Sequence, residues 1–211
     1  MKVIIFTNGE YKSKDFYETY INKVKADYLI CADGGANFAR ELKLKPNIII
    51  GDMDSITAET SEYYKAVQLE MYPQKKDETD TELAIMHAIK IGADKVIVFG
   101  GLGSRMDHSI ANIYLLKRFT DVNIEAEIVN ENNQIRLLGK TTELNFPIGT
   151  IVSILPIGEN VTGLTITGFE YPISAGEMSV DKPYGISNVV NKKTQRISFE
   201  KGLLMVIVAA D

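Results

Sequence analysis

Four acidic clusters carry the groups in this chain best suited to chemistry: Asp33-Gly34-Gly35, Gly51-Asp52-Met53-Asp54-Ser55, Asp77-Glu78-Thr79-Asp80 and Arg105-Met106-Asp107-His108. Each lies just past an apolar run. The first two directly follow Tyr28–Ala32 and residues 47–50, which read as buried strands. In an open parallel sheet, ligands bind in the crevice beyond the carboxyl ends of the strands, so several clusters can converge on one site. Carboxylates gathered together repel one another unless a proton or a cation lies between them. A divalent metal carrying a phosphorylated substrate meets that need, because Mg²⁺ takes oxygen ligands from one or two carboxylates plus phosphates.

Each cluster also has a plainer reading. Asp52 and Asp54 stand at alternate positions and point the same way if strand geometry persists past Gly51. A polar turn, with an Asp bonded to its own backbone, is the other reading. The Asp77–Asp80 cluster opens the clearest helix in the chain, where Asp77 or Thr79 serves as N-cap and Asp80 or Glu82 suits the first turn. Capping alone does not explain so many carboxylates there. Lys75 and Lys76 precede them and read as a solvated face. Gly100-Gly101-Leu102-Gly103 follows a strand and precedes Arg105 and a helix. Such a turn offers backbone N–H groups and a helix N-terminus to phosphate, and Arg105 is able to grip phosphate with two parallel hydrogen bonds. Its spacing is neither the dinucleotide fingerprint nor a Walker A loop. Asp107 either holds Arg105 or caps the next helix, and His108 either contacts ligand or caps it. His87 and Cys31 read as structural, and on residue type alone Ser187 and Asn188 are ordinary turn formers.

The elements that must position these groups follow from periodicity. Short apolar runs at residues 3–6, 28–32, 47–50, 67–72, 95–99 and 124–129 read as strands, and residues 15–24, 36–42, 60–65, 79–91 and 109–119 as helices between them. That alternation predicts a mostly parallel six-stranded α/β domain with both faces of the sheet covered. Helical period disappears near residue 131. Beyond it, β-rich runs at 134–138, 151–156, 164–169, 197–200 and 203–209 are separated by turn signals, which predicts an antiparallel β-sandwich. The expected domains are 1–131 and 132–211.

The 211 residues are 45% hydrophobic and 24% charged, enough for a packed core. The net charge of −5 lacks the basic stripe of a nucleic-acid binder. One cysteine excludes an intrachain disulfide framework and fits a reducing compartment. The apolar stretch at the N-terminus is too short for a signal peptide, and no run is long enough to span a bilayer, so a soluble cytoplasmic protein without membrane partners is expected.

Taken jointly, Cys31-Ala32-Asp33-Gly34-Gly35-Ala36-Asn37, Gly51 to Ser55, Asp77 to Leu83, Gly100 to His108 with Ala111-Asn112, and Ile186-Ser187-Asn188 resemble the thiamine pyrophosphokinase family in order and spacing over almost the whole chain. The resemblance implies an α/β catalytic domain, a β-sandwich that binds thiamine and dimerises, and a homodimer with active sites at the subunit interface. It implies transfer of pyrophosphate from ATP to the hydroxyl of thiamine, giving thiamine diphosphate and AMP. Carried over by position, Asp52, Asp54, Asp77 and Asp80 surround Mg²⁺ and the phosphates, with Arg105 sharing the catalytic work. Asp33, Gly34, Gly35, Asn37, Thr79, Gly101, Arg105, Asp107 and His108 belong to the nucleotide pocket, and Ser187 and Asn188 contact thiamine. The acceptor of the alcohol proton stays open among the four aspartates. With no Trp in the chain, Tyr184 and Phe199 are the aromatic candidates for the pyrimidine.

Overall fold

The structure, a computed structural model, describes residues 1–210. The chain divides after Glu131 into two units. The first runs β1 (Lys2–Phe6), α1 (Lys14–Val24), β2 (Tyr28–Ala32), α2 (Gly35–Glu41), β3 (Ile48–Gly51), α3 (Ala58–Tyr63), β4 (Gln68–Met71), α4 (Asp80–Lys90), β5 (Lys95–Phe99), α5 (Met106–Asp121) and β6 (Glu125–Val129). Its strands lie in the order β6-β5-β1-β2-β3-β4, and every neighbouring pair is parallel. Val3, Ile4, Ile5 and Phe6 of the central strand are wholly buried, as expected for a parallel strand covered on both faces. An aromatic cluster fills one side of the sheet: Tyr11 stacks on Phe38 at 3.8 Å, and Tyr17 meets Phe38 and Phe99 edge to face.

The strand order decides where ligands go. From β1 the chain steps outward through β2, β3 and β4, then returns to the other side of β1 with β5 and β6. The direction of chain progression therefore reverses between β1 and β5, and a crevice is expected outside the carboxyl ends of the strands at that switch point. α5 starts three residues earlier than periodicity suggests, since its first turn is exposed and buries no apolar face that a period could reveal.

The second unit holds two antiparallel sheets. β7 (Asn133–Leu138), β9 (Ile151–Pro156), β12 (Asn188–Val189) and β14 (Leu204–Ala209) form one in the order β12-β9-β14-β7. β8 (Thr142–Leu144), β10 (Val161–Thr167), β11 (Ile173–Met178) and β13 (Gln195–Ser198) form the other in the order β11-β10-β13-β8. Side chains from both sheets, among them Ile154, Leu204, Leu164 and Ile197, share one buried core, so the predicted sandwich is present. β8, β11 and β12 were not anticipated from sequence. Two are very short, and β11 carries Gly176 and a left-handed Ala175 (φ 45°), which break the alternation. No helix among the described residues is long and apolar enough to cross a membrane.

Candidate active site

Buried runs end abruptly in polar turns at the carboxyl edge of the parallel sheet. β2 ends at Ala32, and Asp33 adopts a left-handed conformation (φ 43°) with its N–H donating to Ile50 O at 2.8 Å. Asp tolerates that conformation better than most residues. Asp33 is 4% exposed. Burial pushes its carboxyl above the usual range; hydrogen bonds from Ser55 and the Gly34 N–H oppose this, and the nearby Asp80 adds to it.

β3 ends at Gly51, and strand geometry does not persist beyond it. Gly51 has φ 147° and Met53 φ 65°, so Asp52 and Asp54 are not simple alternate positions on one strand. The Asp54 N–H donates to Asp52 Oδ1 at 3.2 Å, the local turn that was the plainer sequence reading. The two side chains make different contacts. Asp54 accepts from Ser55 Oγ at 2.9 Å and from Gln74 Nε2 at 3.0 Å. Asp52 offers a ligand oxygen to the group formed by Asp33 and Asp80, in which all three oxygens lie within 4.8 Å of one another.

Asp80 reaches that group because it opens α4. Thr79 is the N-cap, its hydroxyl accepting from Glu82 N at 3.1 Å. Asp80 Oδ1 is buried, and no hydrogen bond is directed at it. Its near neighbour is the Lys76 ammonium at 2.9 Å, an ion pair without hydrogen-bond alignment. Three carboxylates of this spacing, including one oxygen that accepts no hydrogen bond, form a donor set suited to a hard divalent cation.

The opposite wall comes from the β1 and β5 connections. Glu10 binds the glycine turn through its backbone N–H, donating to Leu102 O at 3.3 Å, and through its carboxylate, accepting from Ser104 N at 2.8 Å. The Gly103 N–H donates to Ser109 Oγ at 3.0 Å, and Asn112 Nδ2 donates to Gly101 O at 2.9 Å. Two N–H groups of the turn are thus already used by the protein, which raises the weight on Arg105 for holding an anion. Arg105 makes a two-pronged pair with Asp107, at 2.6 Å and 3.2 Å. The guanidinium holds Asp107 down to about 2, and Asp107 in turn raises Arg105. Because the folded value is depressed, the pair persists at neutral pH and is lost only as pH falls through that value. An incoming phosphate must compete with Asp107 for Arg105.

Together these walls enclose a cleft of about 680 Å³. Asp33, Asp52, Asp54, Thr79, Asp80, Gly101, Arg105 and His108 line it. Gly34, Gly35, Asn37, Asp77 and Asp107 are not among its lining residues. Gly34 and Gly35 begin α2, and Asn37 ties the β3–α3 connection down, donating to Ser55 O at 2.9 Å and accepting from Thr57 N at 3.1 Å. In the second unit, the Ser187 N–H donates to Ser153 Oγ at 3.1 Å. The Asn188 amide is occupied by the backbone of Tyr171, at 3.0 Å and 2.8 Å. Tyr184 is exposed, while Phe199 packs against the sandwich core. Cys31 is buried and its thiol is pushed up by burial, which leaves it inert. His87 lies 3.3 Å from Glu70 and stacks near Tyr28, outside the cleft.

The family model described as thiamin pyrophosphokinase, catalytic domain, matches residues 19–128, and the one described as thiamin pyrophosphokinase, vitamin B1 binding domain, matches residues 140–204. The chain belongs to the thiamine pyrophosphokinase family. Thiamine pyrophosphokinase from Bacillus subtilis (strain 168) is 30% identical over 194 residues, covering 86% of this chain and 87% of the relative. Thiamine pyrophosphokinase 1 from Oryza sativa subsp. japonica is 29% identical over 211 residues, covering 87% and 79%. The crystal structure of the Bacillus subtilis thiamine pyrophosphokinase superposes with a TM-score of 0.88 at 25% identity, covering all of both chains. That of the Geobacillus thermodenitrificans protein gives 0.86 at 27% identity, covering 100% of this chain and 98% of that one.

Several cleft residues of this family member escape sequence reasoning. Thr7, Asn8, Gly9 and Glu10 line the cleft, yet no motif marks them in the sequence. Their signal is topological: β1 neighbours β5, so their connections must meet. Gly9 is needed there, since a Cβ would sit 1.8 Å from Gly100 O. Gly9→Ala is expected to destabilise the first unit by about 1–3 kcal/mol by forcing two backbones apart, read as a lowered Tm in a thermal melt. An unchanged Tm would mean the two connections are not in contact.

Proposed function

We propose that the cleft between the joined β1 and β5 connections and the acidic ends of β2, β3 and α4 is where this chain carries ATP, with Asp33, Asp52 and Asp80 holding Mg²⁺. The reaction is ATP-dependent pyrophosphate transfer to thiamine, giving thiamine diphosphate and AMP. The observation that carries the site assignment is that carboxylates from the ends of two strands and the start of a helix meet within 4.8 Å, beside a glycine turn and an arginine. When bound, the divalent ion neutralises and orients the phosphate oxygens.

The chain's own residues do the rest. Arg105 turns from Asp107 to the phosphates and stabilises the charge that gathers on them. Thr79 and Gly101 shape the wall against which they lie, and His108 contacts the nucleotide. Asp54, braced by Gln74 and Ser55, holds the outer rim. Asp77, in contrast to the sequence expectation, receives no metal role in this reading. The thiamine hydroxyl oxygen attacks the β-phosphorus, giving up its proton to a carboxylate of the acidic cluster, and the bond from that phosphorus to the oxygen bridging the α- and β-phosphorus breaks. AMP leaves with the bridging oxygen. Little covalent work falls to the protein, and positioning dominates. Ser187 and Asn188 serve the thiamine side, Asn188 by fixing the Tyr171 backbone.

A homodimer with active sites at the interface completes the reading. It is supported by Met106, Ile110 and Tyr114, which stand four residues apart on α5 next to the cleft and are 64%, 47% and 54% exposed. A cytoplasmic location is supported by the single, buried, reduced cysteine.

The test is AMP formation from ATP with Mg²⁺, with and without thiamine, and with a chelator. AMP that requires both thiamine and metal, matched by thiamine diphosphate, is the expected result. AMP without thiamine would mean a phosphohydrolase, and no AMP from folded protein would move the reaction to another acceptor heterocycle or to a binding role. Arg105→Ala is expected to lower kcat/KM by about 10²–10³-fold and leave Tm unchanged, because the side chain is 71% exposed. Wild-type kinetics for that variant would remove Arg105 from the phosphate site.

A further inference from the structure

Lys75 and Lys76 read alike in sequence, but the fold separates them. The Lys76 side chain is only 11% exposed, and its ammonium lies 2.9 Å from Asp80 Oδ1 and 3.9 Å from Asp52 Oδ2. It comes from the connection between β4 and α4, four residues before Asp80. The same connection sends Gln74 to Asp54, so it reaches the acidic cluster twice. The adjacent Asp77, acidic and prominent in sequence, is not among the cleft-lining residues, whereas Lys76 is.

We infer that Lys76 is a positioning residue that exchanges with the metal: its ammonium bridges Asp52 and Asp80 in metal-free protein and swings to the nucleotide phosphates when the divalent ion enters. The inference rests on the reading of Asp33, Asp52 and Asp80 as the metal's holders. A divalent ion held by those carboxylates and an ammonium bridging two of them compete for the same oxygens. Like charges at that spacing repel unless a proton or a cation lies between them, and Lys76 supplies the cation before any metal arrives. The ammonium is a point charge on a flexible four-carbon stem with three rotatable donors. It can leave the carboxylates without moving the backbone, and a released lysine beside a triphosphate binds phosphate. Pro73 O, 3.4 Å from Nζ, is a further partner available at the outset of the swing.

Lys76→Met keeps the stem and removes the charge; Lys76→Gln, which retains a donor, is the second variant should the first not fold. Binding of Mn²⁺ alone, followed by electron paramagnetic resonance, is expected to tighten on the order of ten-fold in either variant because the internal competitor is gone. The metal-free variant is expected to melt lower than wild type, since removing one partner of a buried ion pair leaves the others uncompensated. KM for ATP is expected to rise more than kcat falls. In the unaltered chain, Mn²⁺ alone should raise acylation of Lys76 by a small amine-reactive reagent and leave Lys75 unchanged, read by peptide mass spectrometry. Mn²⁺ affinity that is equal or weaker in the variants, with wild type binding normally, overturns the exchange while sparing the metal site. No Mn²⁺ binding by wild type overturns the metal site and the exchange with it.

Discussion

Asp52→Asn is expected to cut turnover by about 10³-fold or more while the chain stays folded. The side chain sits at the end of β3, 12% exposed, with one oxygen turned to the Asp33–Asp80 group. Asn has the same shape, and its amide oxygen still accepts from the Asp54 N–H that Asp52 Oδ1 accepts now. The local turn therefore survives. What goes is a full negative charge from a set of three, and Mg²⁺ is held through carboxylates and phosphates, so a neutral amide oxygen replaces the carboxylate only weakly. Removing one of three mutually repelling carboxylates does not weaken the metal-free fold by the same mechanism that weakens catalysis. Initial rates of AMP formation and a thermal melt of the same sample separate the two effects. Turnover near wild type would remove Asp52 from the site, and an unfolded variant would make its role structural.

Gly51→Ala is the second large effect. At φ 147° the backbone occupies a region that is essentially restricted to glycine. A Cβ there would lie 3.0 Å from Asp33 Cβ and 3.0 Å from both Cγ and Oδ1 of Asp80. The cost is about 1–3 kcal/mol of strain, which lowers Tm by roughly 2–4 °C per kcal/mol for a chain of this size. The Asp80 carboxylate is the softest of these neighbours, so it yields, and in yielding it leaves the group it forms with Asp33 and Asp52. A single methyl group is thus expected to remove most activity without touching a charged residue. A lowered Tm with intact turnover would show that Gly51 serves the turn alone and that Asp80 has room to adjust.

These two residues also mark how far the sequence carries. Parallel strands buried on both faces are continuous apolar runs, so the ends of β2 and β3, and hence Asp33 and Asp52, are visible without a structure. Thr79 and Asp80 are visible as a helix start. The choice between Asp77 and Lys76 is not. They are neighbours in an irregular connection with no period, and only its path decides which side chain turns inward. Asp52 and Asp54 alternate only if the strand continues past Gly51, and Gly51 and Met53 make a turn there instead. Glu10 was missed for a different reason: its partner on the same wall, Ser104, is 94 residues away, and their meeting follows from β1 pairing with β5, a long-range fact with no local signature. In the second unit the long alternating strands were legible, and the two- and three-residue strands β12 and β8 were not, because so short a run has no period to read.

The most direct measurement uses ATP labelled at its β-phosphorus, with Mg²⁺ and thiamine. Transfer of pyrophosphate in one piece puts all of the transferred label in thiamine diphosphate and leaves unlabelled AMP in equal amount. Label retained in ADP, beside an unlabelled thiamine monophosphate, would contradict it.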